Sequence, residues 1–290
     1  MERGKLVVER VGGKSTLTRC FSKYPFKFIV PKKVGPSQTD AVWIYTITYG
    51  GGIVSGDSIA CDITVGHGCT AVLTTQSSTK VYKSVGSKCS EQTLEASIGK
   101  DGLLVVIPDP VTCFSTARYS QTQIFRVVPD ESSLIIVDWV TSGRHERGEK
   151  WAFSLYKSTN RILLQGNNDP MFLDTILLEQ GTHCSISDRM QDYQAIAMIV
   201  IMGPKLKFIQ NQIQDDVKKL MSQQQQQLRA PSIGSTKSER PDFLASCSPF
   251  GPQGKGVVVR IASMTTESIY KFLQHELASM EPLLGVSPYH

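Results

Sequence analysis

The chain has 290 residues, a formal charge of +5, 40% hydrophobic and 20% charged residues. Those proportions describe a globular protein with a substantial core, organised as one or two domains, a single large β-rich domain included. The basic excess is too small to specify nucleic acid, and no RNP-like motif accompanies it.

Arg3, Lys5, Arg10, Lys14, Arg19, Lys23, Lys27, Lys32 and Lys33 crowd the N-terminal stretch. They read either as a solvated face on the first strands or as a docking surface for an acidic protein. No apolar run at the start has the length of a signal peptide. The longest one, Ala195 to Met202, is about half a membrane span, so a cytosolic, non-membrane protein is expected. The seven cysteines form no C-x-x-C pair or zinc spacing and read as buried reduced thiols.

Short alternating segments follow in order: Val42–Thr48, Ile59–Val65, Cys69–Thr75, Glu91–Ile98, Leu103–Ile107, Gln121–Val128, Ser133–Val140, Trp151–Tyr156, Arg161–Gln165, Asp174–Glu179 and Ala195–Met202. Their spacing of about ten residues predicts a sandwich, a barrel or a β-solenoid. After Gly203-Pro204 the period changes. Leu206, Ile209, Ile213, Val217 and Leu220 give one apolar stripe on a helix from Lys205 to Leu228. A mobile polar loop is expected over 229–255, then a buried strand, Gly256–Ser263, and a second helix over Thr265–Met280 capped by Thr265 or Thr266. Each helix stripe reads as packing against the β domain, with a partner-facing role as the alternative.

Tyr49 to Ser58, YGGGIVSGDS, invites comparison with a phosphate loop, but Asp57 stands where such a loop needs lysine, and a carboxylate repels phosphate. The glycines then serve backbone freedom: a turn, a bulge or the close approach of another chain. Asp57 would close the turn with its side chain. The five histidines form no metal motif, and acids such as Asp57, Asp62, Asp138, Glu146 and Glu149 declare no acid–base pair. The residues alone point to a β-rich interaction protein more than to an enzyme.

Tyr49 to Ser84 resembles the signature of the UreD (UreH) urease accessory proteins. The matching positions are Gly51, Gly52, Gly56 and Asp57, then Thr74, Thr75, Gln76, Lys80 and Tyr82. Pro108-Asp109-Pro110 and the segment from Trp139 to Glu149, with Arg144, are similar to two further family segments, and MFLDTILLEQ, RMQDYQA and the glutamine tract fit a plant or fungal member.

The resemblance implies one domain over 1–290: mostly β, strands stacked in a solenoid-like (β-helical) arrangement, with two C-terminal helices. It implies a non-enzymatic scaffold in urease maturation that bridges the urease apoprotein to UreF-like and UreG-like partners. Nickel would pass in transit, GTP would enter only through the UreG-like GTPase, and neither nucleic acid nor membrane would be involved. Nickel in transit calls for exchangeable carboxylate and water ligands rather than clustered thiolates or imidazoles. Asp57 and Glu149 are the candidates for lining a nickel path, against a turn cap or an internal salt bridge, with Arg144 and Lys80 as possible partners. The alternatives are a metallochaperone that itself holds nickel and, from another class, a β-rich hydrolase; the hydrolase would need a nucleophile–base pair, which the sequence does not display.

Overall fold

A computed structural model describes residues 3–31, 39–229 and 240–289. The chain opens with β1 (Gly4–Val11), β2 (Lys14–Phe21) and β3 (Phe26–Ile29). It then winds through β4 (Ala41–Thr48), β5 (Ser58–Val65), β6 (Thr70–Thr75), β7 (Thr79–Val81), β8 (Ser90–Ile98), β9 (Leu103–Val106), β10 (Val111–Cys113), β11 (Arg118–Val127), β12 (Ser133–Thr141) and β13 (Leu155–Leu164). The remainder comprises β14 (Pro170–Glu179), α1 (Ile186–Met190), β15 (Ala195–Met202), α2 (Lys207–Arg229), β16 (Phe243–Phe250), β17 (Gly256–Ser263), α3 (Thr266–Leu277) and α4 (Glu281–Leu284).

The winding is a two-sheet solenoid. β5, β8, β11 and β13 pair in parallel in one sheet, while β4, β6, β9 and β12 pair in parallel in the other. Each coil therefore contributes a strand to each sheet. Parallel neighbours need crossover connections, and here the crossover is the strand of the opposite sheet. Antiparallel strands finish the edges: β14 extends the first sheet, and β15, β17 and β16 extend the second.

The second sheet is the middle layer of three. On one side Leu134 and Ile136 of β12 join Leu94, Phe125 and Ile162 in the core between the sheets. On the other, Ile135 and Val137 meet Ile209, Ile213 and Val217 of α2 and Ile269, Leu273 and Leu277 of α3. The apolar stripes of both helices thus pack on the β layer, and the Thr265 hydroxyl caps α3 by accepting from Ser268 N–H at 3.2 Å.

Two local expectations change. The segment Trp151–Tyr156 is not a strand: Trp151 has a φ of 53°, its indole donates to the Tyr193 carbonyl, and β13 begins only at Leu155. β13 then runs unbroken to Leu164, through a polar stretch that reads as a turn, because Ser158 and Asn160 are buried and engaged between the sheets. The polar loop over 229–255 contains β16, held antiparallel to β17 from Phe243 to Phe250. The rest of that loop from 230 to 239, like Lys32 and Lys33 of the basic stretch, lies outside the described residues.

Candidate functional site: a polar cavity between the sheets

The signature loop is built by close backbone approach. A Cβ on Gly52 would stand 2.7 Å from the Lys80 carbonyl oxygen and 2.8 Å from the Tyr82 ring, so only glycine lets the two segments meet. There Ile53 N–H donates to the Lys80 carbonyl and Tyr82 N–H to the Ile53 carbonyl. Gly56, at φ +84°, turns the chain into β5. Asp57 closes that turn: its Oδ2 accepts from Val54 N–H at 2.8 Å.

The two family segments meet around Phe114. Tyr82 packs edge-on against its ring at 5.2 Å, and the Arg144 guanidinium sits 3.7 Å from the ring centre. Arg144 in turn grips Glu149 with two nitrogens on two oxygens. This fork holds the Glu149 carboxyl below its ordinary range, the Arg144 hydrogen bond being the main cause. Asp57 and Glu149 therefore have structural partners of their own. Lys80 is exposed and takes part through its backbone.

A cavity of about 260 Å³ lies between the sheets. Of the signature residues, Gly51, Thr74, Thr75 and Gln76 line it; Asp57, Lys80, Tyr82, Arg144 and Glu149 are not among its lining residues. Gly51, Gln76 and Ser77 in the lining are exposed, whereas Tyr119, Gln121 and Asp138 are buried, so the cavity runs from the surface inward. Thr74 donates to the Ile107 carbonyl at 2.8 Å, and the Thr75 hydroxyl accepts from Asp109 N–H at 2.8 Å. Tyr270 of α3 donates to Asp109 at 2.7 Å, which ties the helical layer to the cavity edge.

The cavity's acids are Asp109 and Asp138. Asp138, 3% exposed, sits on β12 in a strand buried at every position. Gln121 Nε2 donates to it at 2.8 Å and Asn160 Nδ2 at 2.7 Å; the Ser158 and Tyr156 hydroxyls donate as well. Four donors facing one carboxyl suit its ionised form. Burial is the larger influence and pushes the group above the ordinary carboxyl range, while those hydrogen bonds oppose it. Among the described residues no cation pairs with Asp138. A divalent cation reaching this carboxylate would have to displace some of its neutral donors, which favours weak, exchangeable binding.

Sequence reading passed over Asp138 as one acid among several. The signal was its setting, a single charge inside SLIIVDWVT, since an acid is seldom buried unless something engages it. Its partners Ser158 and Asn160 were hidden in the stretch mistaken for a turn.

A profile of the UreD urease accessory proteins matches residues 2–290. The chain is 62% identical to urease accessory protein D of Arabidopsis thaliana, covering 100% of both chains. It is 57% identical to urease accessory protein D of Oryza sativa subsp. indica, over 99% of this chain and 94% of that one. It is 36% identical to urease accessory protein UreD of Sorangium cellulosum, over 99% of this chain and 82% of the bacterial one.

The chain's match is to a family of maturation factors rather than enzymes, carried here on a β-solenoid with a helical layer. The chain belongs to the UreD urease accessory protein family, on its plant side, with a role in urease maturation. Among the described residues no helix is long and apolar enough to cross a membrane.

Proposed function

We propose that the chain is a cytosolic scaffold that bridges the urease apoprotein to UreF-like and UreG-like partners, and that nickel bound for urease passes through the cavity between its sheets. The supporting observation is Asp138, a buried carboxylate on the cavity wall with neutral donors and, among the described residues, no paired cation. Asp109 near the exposed rim offers a second exchangeable oxygen ligand. The path lining considered for Asp57 and Glu149 falls instead to these two residues, because they line the cavity and the first pair does not.

Transit is favoured over retention. Among the described residues the one cysteine on the cavity wall is Cys61, whose thiol is pushed up to about 12 by burial, so it stays protonated and binds metal weakly. Carboxylate and amide oxygens exchange faster than thiolates. GTP enters only through the UreG-like partner.

Co-expression of Asp138→Asn and Asp109→Asn chains with urease and its other accessory proteins tests the reading. Expected are complexes that still assemble and a urease whose nickel content falls severalfold. Full nickel loading by the double variant would remove the cavity from the path, and failure to capture any UreF-like or urease chain would remove the bridging role.

A further inference from the structure

On the far side of the middle sheet from the cavity, α2 and α3 bring together three side chains with metal-ligating atoms. Asp216 comes from α2, and His275 and Glu276 come from the last turn of α3. One donor atom from each lies within 4.8 Å of the others, and His275 Nε2 stands 3.9 Å from Asp216 Oδ2.

Glu276 separates this group from an ordinary surface ion cluster. It is 1% exposed, yet among the described residues its carboxylate takes a single side-chain hydrogen bond, from Gln212 Nε2 at 3.5 Å, the outer limit for such a bond. Lys219 pairs with Asp216 rather than Glu276, 2.9 Å from Asp216 Oδ1. That contact leaves Asp216 Oδ2 directed at His275. A buried carboxylate beside a second carboxylate, with one weak donor, is an arrangement short of positive charge. Burial first, then Asp216, raises the Glu276 carboxyl to about 6.

We propose that Asp216, His275 and Glu276 form a divalent transition-metal site that clips α2 to α3. Two carboxylates and an imidazole make a donor set for borderline ions such as Zn²⁺ or Ni²⁺, and three protein ligands leave a position for water. A tetrahedral ion with bonds of about 2.1 Å needs donors about 3.4 Å apart. His275 has the freedom to close that gap, because its side chain is 71% exposed. The proposal is independent of the cavity reading: the site lies in the helical layer, shares no residue with the cavity, and would hold an ion rather than pass it.

The test uses the full chain stripped with chelator and titrated with Zn²⁺ alone, by calorimetry and by thermal unfolding. Wild type should bind one equivalent more than His275→Ala or Asp216→Asn, and its Tm should rise on zinc addition. Both variants should lose that equivalent, or bind it at least tenfold more weakly, and lose the rise. Glu276→Gln should raise the metal-free Tm at pH 7.5 while abolishing the zinc-dependent rise, a combination that a purely structural glutamate would not give. His67→Ala, a control for adventitious imidazole binding, should keep both signals. The site is overturned if His275→Ala binds zinc as wild type does, or if zinc leaves the wild-type Tm unmoved.

Discussion

The two faces of the middle sheet are built on opposite plans. Toward the helices, Ile135, Val137, Ile199 and Ile201 meet the leucines, isoleucines and valine of α2 and α3 in a continuous apolar layer. Toward the other sheet, the apolar core is interrupted by the cavity, and Asp138, Gln121, Ser158 and Asn160 occupy interior positions that a stable sandwich would fill with methyl groups. The strand β12 carries both plans on alternate residues. Both faces bury extensive apolar clusters, and the face toward the other sheet also borders the polar cavity.

That contrast can be broken most forcefully on the dry face. Ile213→Ala, at a fully buried position on α2, should cost about 2–5 kcal/mol in urea unfolding and leave the nickel content of urease unchanged wherever the variant stays folded. Asp138→Asn should cost less, about 1–3 kcal/mol, since an amide cannot accept from all four donors, yet it should depress nickel content sharply. If the isoleucine variant proves the worse for nickel loading at equal folded fraction, the division of labour between the faces is wrong.

Glu276→Gln sharpens the comparison from the helical side. Below pH 4.5 the carboxyl is protonated in both folded and unfolded chains, and the substitution should be neutral. As pH rises through about 6 the folded wild type must ionise a buried group and loses stability. Metal-free Glu276→Gln should therefore be the more stable by about 2 kcal/mol at pH 7.5, measured with chelator present.

The smallest effects belong to the two acids that the family signature makes conspicuous. Asp57→Ala removes one turn hydrogen bond and should cost about 1 kcal/mol or less. Glu149→Ala should cost its full amount above pH 4.5 and progressively less as pH falls below it, because a carboxyl held low by Arg144 contributes stability that is lost as it protonates. Its acid-unfolding midpoint should consequently lie close to that of wild type. A large loss of nickel loading in either variant, with stability intact, would return these acids to the path.

Much of the architecture was legible along the chain. The alternation from Ile59 to Val65 and from Glu91 to Ile98 matches strands whose odd or even positions are buried. The stripe Leu206, Ile209, Ile213, Val217 lies on the helix face that packs against the sheet. Asp57 as a turn cap followed from its place after Gly56. Trp151 and Phe153 misled, since large apolar residues in a loop give the same local signal as a strand. Lys157 to Asn160 misled in the other direction, because buried polar residues that bond across sheets look like a turn when their partners are unknown.

The sequence by itself determined that this is a β-rich chain with two amphipathic helices, and its Gly51–Tyr82 signature determined the family, because periodicity and glycine placement are local properties. Only the tertiary structure decided which acids face a cavity. Asp138 reaches its donors across separations of 17 to 22 residues, and Asp216 meets His275 across two helices. A carboxylate's role depends on what surrounds it in space, and the pairing of strands and helices supplies those surroundings.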